Sequence, residues 1–178
     1  MSDRVVPQPS PDRLVPFAGH PLVVGVTPGQ PELVLLTACA WASALGVSVY
    51  GAYVDPARSV VEELPDGRVR HVEVDPDVVD DSWRARDAEL AALVARVADA
   101  AGVASEFRYL AGRADRALTH LARAVDASAF VVGAHRGGRR ARDVLDESLT
   151  LRLAHHQHRP VLTVPLAVVD WRGRLPWQ

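Results

Sequence analysis

The sequence predicts an α/β fold in which a parallel sheet is layered with helices on both faces. Three observations carry this. Short continuous apolar runs recur at Leu22–Val26, Ala129–Val132 and Pro160–Pro165, the pattern of strands buried on both sides. Segments with helical spacing of their apolar residues lie between such runs, and glycines or prolines punctuate the joins. Strands that alternate with helices pair in parallel through right-handed crossovers.

Residues 1–20, with Pro7, Pro9, Pro11 and Pro16, are aperiodic and read as a proline-rich N-terminal arm with no element of its own. The α/β domain is expected over 21–166, with 167–178 as a C-terminal tail carrying Trp171 and Trp177. Leu22–Val26 is the first strand. Thr27-Pro28-Gly29-Gln30-Pro31-Glu32 turns the chain into a helix that runs to Leu45 and ends at Gly46. That helix is apolar nearly all round and is expected to be heavily buried. Val47–Val54 is the second strand, stopped by Asp55-Pro56.

Val60–Glu63 and Val69–Val74 flank Leu64-Pro65-Asp66-Gly67, which predicts an inserted β-hairpin over 58–74. A lone hairpin is marginal, so it should rest on a partner surface, with the other subunit one candidate. After the acidic loop Asp75–Asp81, Ser82 can cap a helix with Leu90, Leu93, Val94, Val97, Ala98 and Ala101 on one face. Phe107–Leu110 is a strand, and Gly112-Arg113 lead into a helix carrying Ala117, Leu118, Leu121, Ala122 and Val125. Beyond the Ala129–Val132 strand, a polar loop is expected from Gly133 to Glu147, then a short helix Ser148–His156 and the last strand. There is no internal repeat and no sign of a second domain.

Composition narrows the chemistry. The chain has 178 residues, 48% of them hydrophobic, enough for one substantial core. A net charge of −2 gives no pull towards nucleic acid or an anionic membrane. All 20 basic residues are arginine, which excludes a Schiff-base lysine, a P-loop lysine and a kinase-type phosphate lysine. Cys39 is the only cysteine, so an intramolecular disulfide and a multi-cysteine zinc site are excluded. Met1-Ser2-Asp3-Arg4 and the prolines that follow lack the apolar core of a signal peptide. The longest apolar stretch, Leu33–Leu45, is too short to span a bilayer and carries Thr37 and Ser43. A cytoplasmic protein without a membrane partner is expected.

In such sheets ligands bind beyond the carboxyl ends of the strands, so the loops after Val26, Val54 and Val132 should carry function. The first loop is not G-x-G-x-x-G, and no G-x-S-x-G elbow is present. His155, His156 and His158 read as cations complementing the end of a helix rather than as metal ligands, so no metal site is expected. No nucleophile–base or acid pair can be placed, so a binding module is favoured over an enzyme.

Val131-Val132-Gly133-Ala134-His135-Arg136-Gly137-Gly138, then Asp146-Glu147-Ser148, and the closing Pro160-Val161-Leu162-Thr163-Val164-Pro165 together resemble the universal stress protein family. That family's hallmark is Gly-x-x-Gly, nine residues, then Gly-Ser or Gly-Thr. Gly25-Val26 before a turn, Asp55-Pro56 after a strand, and Leu110-Ala111-Gly112 before a helix fit as well, and the likeness spans residues 21–166. It implies a five-stranded parallel sheet in the order 3-2-1-4-5. It also implies a homodimer formed through the last strand, at Val161, Leu162, Thr163 and Val164.

Some members of the family bind ATP through an aspartate after the first strand and through the glycine loop. By resemblance the nucleotide-binding positions here are Val26, Thr27, Pro28, Gly29, Val54, Gly133, His135, Arg136, Gly137, Gly138, Glu147, Ser148 and Leu149. The sequence departs from the ATP-binding pattern in three places. Thr27 stands where ATP binders have aspartate, Glu147 stands where glycine precedes the hydroxyl residue, and Arg136 lengthens the loop by one. The reading that follows is a stress-response or regulatory binding module, acting through an unidentified protein partner, with weak or absent ATP binding. The alternative is an ATP- or AMP-binding protein with slow hydrolysis, using Gly133, Gly137, Ser148 and the arginines at 136, 139, 140 and 142.

Overall fold

A computed structural model describes residues 10–75, 82–134 and 141–166, with 141–148 described by backbone alone. In chain order the elements are β1 (Leu22–Gly25), α1 (Leu33–Leu45), β2 (Val49–Asp55), β3 (Arg58–Glu63), β4 (Val69–Glu73), α2 (Ser82–Ala100), β5 (Ser105–Ala111), α3 (Ala114–Ala124), β6 (Ala129–Ala134), α4 (Ala141–His156) and β7 (Val161–Pro165). Five strands form one sheet in the order β5-β2-β1-β6-β7, every pairing parallel. Setting β3 and β4 aside, that is the 3-2-1-4-5 order expected from the resemblance.

Strand side chains point alternately to two apolar layers. Leu22, Val24, Val49 and Val131 face α1 and α2, where they meet Val34, Ala38 and Val94. Val23, Ala52, Phe130 and Val132 face the opposite layer, built on Leu118, Leu121 and Leu153 of α3 and α4. The approach of α2 to the sheet is close: a Cβ on Gly51 of β2 would come within 2.5 Å of a Val94 methyl. Gly46 closes α1 in the left-handed conformation at φ 67°, its N–H returning to Ser43.

The hairpin is present as an antiparallel pair, with a register shift between Val60 and Glu62. The partner surface expected for it includes its own chain's β5 and α3. The hairpin runs beside the edge strand β5, and its tip meets α3, where Gly67 at φ 81° leaves no room for a side chain beside Leu121. His120 of α3 sits 3.1 Å from Glu63. One edge of the main sheet is therefore covered by the chain's own insertion. At the other edge, Leu162 of β7 remains 38% exposed.

Three sequence expectations are corrected. The arm contains a 3₁₀ turn at Pro11–Arg13, and Phe17 packs on Trp41 with ring centroids 5.9 Å apart. α1 is not buried all round: Leu33 and Leu36 are 50% and 49% exposed, because a helix laid on a sheet hides only the face that meets it. α4 begins at Ala141 and not at Ser148. The polar sequence Ala141–Glu147 reads as loop by composition but continues the helical backbone. Among the described residues no helix is long and apolar enough to cross a membrane.

Candidate functional site

The sheet order reverses between β1 and β6, so the crevice beyond their carboxyl ends is where an open parallel sheet takes a ligand. Val26 and Thr27 form one wall, and Gly133 and Ala134 the other. Val26 is buried and bonds from its N–H to the Ala52 carbonyl of β2, which fixes the start of the loop. Pro28 and Gly29 are exposed in the turn, with Gly29 at φ 72°.

Gln30 reaches across from Thr27 towards Gly133. Its carboxamide oxygen accepts the Thr27 N–H at 2.9 Å and the Thr27 hydroxyl at 3.1 Å. Its amide nitrogen would lie 2.8 Å from a Cβ on Gly133, and a Leu166 methyl 2.6 Å from the same point. Glycine at 133 thus admits side chains of this chain to the backbone where the family's loop admits a ligand. On the side of Thr27 and Gln30 that faces α1 and α2 there is a dimple of about 10 Å³, lined also by Val26, Pro31, Glu32, Val34, Leu35 and Leu93.

Val54 is half-buried at the end of β2 and packs towards the α3 layer. His135, Arg136, Gly137 and Gly138 lie outside the described residues, as do the arginines at 139 and 140. Glu147 and Ser148 are the seventh and eighth residues of α4. Neither stands at the helix start, as the expected short helix from Ser148 would have had it. Leu149 is half-buried against the core.

Sequence reasoning passed over one group at the same end of the sheet. Asp55 is 4% exposed, and its carboxylate accepts the Tyr109 hydroxyl at 2.5 Å, Arg86 Nη1 at 3.1 Å and the Ala57 N–H at 2.9 Å. Burial, then the hydrogen bond to Asp55, pushes the Tyr109 phenol pKa well up. Beside it, the buried Arg58 donates from Nε to His71 Nδ1 at 2.7 Å and from Nη1 to Glu73 at 3.1 Å. Trp83 closes the cluster, its ring 4.9 Å from His71 and 5.1 Å from the Arg58 guanidinium. Burial first, and then the Arg58 charge, lowers the His71 pKa. These groups join the root of the hairpin to α2 and β5. Asp55-Pro56 in the sequence signals only the end of a strand. Among the described residues no group of His, Cys, Asp and Glu side chains could hold a metal ion.

A family model for the universal stress protein family matches residues 20–165. The chain belongs to that family. A universal stress protein from Archaeoglobus fulgidus in complex with dAMP superposes at TM-score 0.57 and 20% identity, over 81% of this chain and 96% of that one. A family member from Burkholderia pseudomallei gives 0.59 at 19% identity, over 88% and 99%. A universal stress protein in complex with cAMP gives 0.57 at 22% identity, over 84% and 99%. No curated protein matches the chain. These likenesses show the universal stress fold, and the bound nucleotides belong to the proteins that hold them.

Proposed function

We propose that this chain is a universal stress-type protein working as a regulatory binding module that holds ATP weakly or not at all. The observation that carries the reading is the Thr27–Gln30 contact. The position that is aspartate in the family's ATP binders offers a hydroxyl already spent on Gln30, and Gln30 occupies the space beside Gly133. A missing charged acceptor costs roughly 1.5–3 kcal/mol, or about ten- to a hundredfold in affinity. Displacing Gln30 adds to that.

The open β7 edge supports a homodimer through Val161–Val164, by the same logic that has the hairpin cover the other edge. Action through a protein partner, in the cytoplasm, completes the proposal. Mass spectrometry of the protein purified without added ligand tests it. No adenine nucleotide should accompany the chain; a stoichiometric one would overturn the reading.

The dAMP and cAMP held by two solved relatives favour a second reading, an ATP- or AMP-binding protein. It requires Gln30 to swing away from Gly133 and the glycine loop to hold the phosphates.

A further inference from the structure

Helix α1 carries no charged residue from Leu33 to Leu45, although one side of it faces outward. Leu33 is 50% and Leu36 49% exposed, and Ala40 and Ala44 are exposed with them. At spacings of three and four these residues form a single stripe. Thr37, the polar residue beside its middle, spends its hydroxyl on the Leu33 carbonyl at 2.7 Å. The nearest charge in the chain, Glu32, precedes the helix and pairs with Arg96 of α2 at 2.5 Å. A helix lying on a sheet turns charged residues to water, so an outer face without any points to a cover.

The chain itself leads one there. β7 ends at Pro165, and the Leu166 N–H donates to the Ala134 carbonyl at 2.9 Å. The Leu166 side chain lies on the α1 side of the sheet. A Cβ on Gly133 would be 2.6 Å from a Leu166 methyl and 3.1 Å from a Val34 methyl, so Leu166 stands beside the first turn of α1. It packs on the same apolar layer as Val34, Leu35 and Trp41. Val34 is the chain neighbour of Leu33, where the stripe begins. Residues 167–178 follow Leu166, and their sequence opens Ala167-Val168-Val169-Asp170-Trp171. The 13 residues of α1 make a rod about 20 Å long. At about 3.3 Å per extended residue, the segment 167–178 is long enough to run along all of it.

We propose that residues 167–178 dock along the outer face of α1, with Val168, Val169 and Trp171 covering Leu33, Leu36 and Ala40. The segment is then a strap from the end of β7 onto α1, and it takes the stripe out of water.

The test is limited trypsin digestion of the full chain, with cleavage after Arg172, Arg174 and Arg4 followed separately by mass spectrometry. Where undocking is fast, the rate of cleavage reads the undocked population. Leu36→Asp and Ala40→Glu each put a charge on the stripe at an exposed position, where the fold loses little; circular dichroism verifies that both variants are folded. Val61→Asp, at a hairpin residue 65% exposed, is the control. Cleavage after Arg172 and Arg174 should be at least about tenfold faster in both α1 variants than in the wild type, and unchanged in Val61→Asp. Wild-type rates in the α1 variants overturn the proposal. So does acceleration after Arg4 in place of Arg172 and Arg174, which gives the stripe to residues 1–9. Protection that fades on about hundredfold dilution overturns it too, since a second copy is then the cover.

Discussion

The Tyr109 hydroxyl donates to the buried Asp55 carboxylate across 2.5 Å, and Arg86 Nη1 donates to both oxygens, at 3.0 Å to Tyr109 and 3.1 Å to Asp55. Removing the hydroxyl in Tyr109→Phe leaves Asp55 with one donor fewer in a site closed to water. The expected loss is about 1.5–3 kcal/mol by urea unfolding at pH 7. The phenol pKa is raised on folding, so its contribution is intact below the unfolded value of about 10 and fades as pH rises above it. The difference between wild type and Tyr109→Phe should therefore shrink above about pH 10.

His71 has the opposite sign. Its folded pKa is depressed, by burial and then by Arg58, although Asp55 and Asp87 oppose the shift. Its contribution is present above the unfolded value near 6.5 and is lost as pH falls through the folded one. Protonation would also put a charge where Nδ1 accepts from Arg58. Lowering the pH from 7 to 5 should reduce stability in the wild type. His71→Asn, which keeps an acceptor but cannot charge, should flatten that slope; an unchanged slope would place the effect elsewhere.

Gly67 anchors the hairpin tip. Alanine there would meet a Leu121 methyl at 2.6 Å, with φ at 81° adding backbone strain. Gly67→Ala should cost about 1–3 kcal/mol in chemical denaturation and leave the secondary structure unchanged by circular dichroism.

Light scattering tests the β7 edge. The wild type is expected at twice the 19.2 kDa chain mass at micromolar concentration. Leu162→Lys, a charge placed on that edge, should give the monomer. A monomeric wild type would contradict the proposed homodimer.

Most of the fold was legible because buried parallel strands announce themselves. Val23, Val24, Phe130 and Val131 sit in continuous apolar runs, and all four are fully buried. The hairpin was legible through Pro65-Asp66-Gly67. Its docking was not, since nothing local in Gly67 or Glu63 names Leu121 or His120 as a partner. The first turns of α4 were missed because Arg142, Asp143 and Asp146 resemble loop composition, although their order does not forbid a helix. At the site, Thr27 and Gly133 could be singled out by resemblance to the family motif. Gln30 could not, because its role depends on a side chain folding back three residues onto Thr27. Asp55 was read as punctuation, since burial of a carboxylate is decided by Tyr109 and Arg86, distant in sequence.

We propose that Gln30 obstructs this crevice to ATP and that Thr27 leaves it without a charged acceptor. Calorimetric titration of ATP into the wild type and into Thr27→Asp combined with Gln30→Ala tests it most directly. The wild type should bind no tighter than about 1 mM, and the double variant at least about tenfold tighter, since one regained charged hydrogen bond gives roughly 1.5–3 kcal/mol. Micromolar binding by the wild type, or no gain in the double variant, would contradict the account.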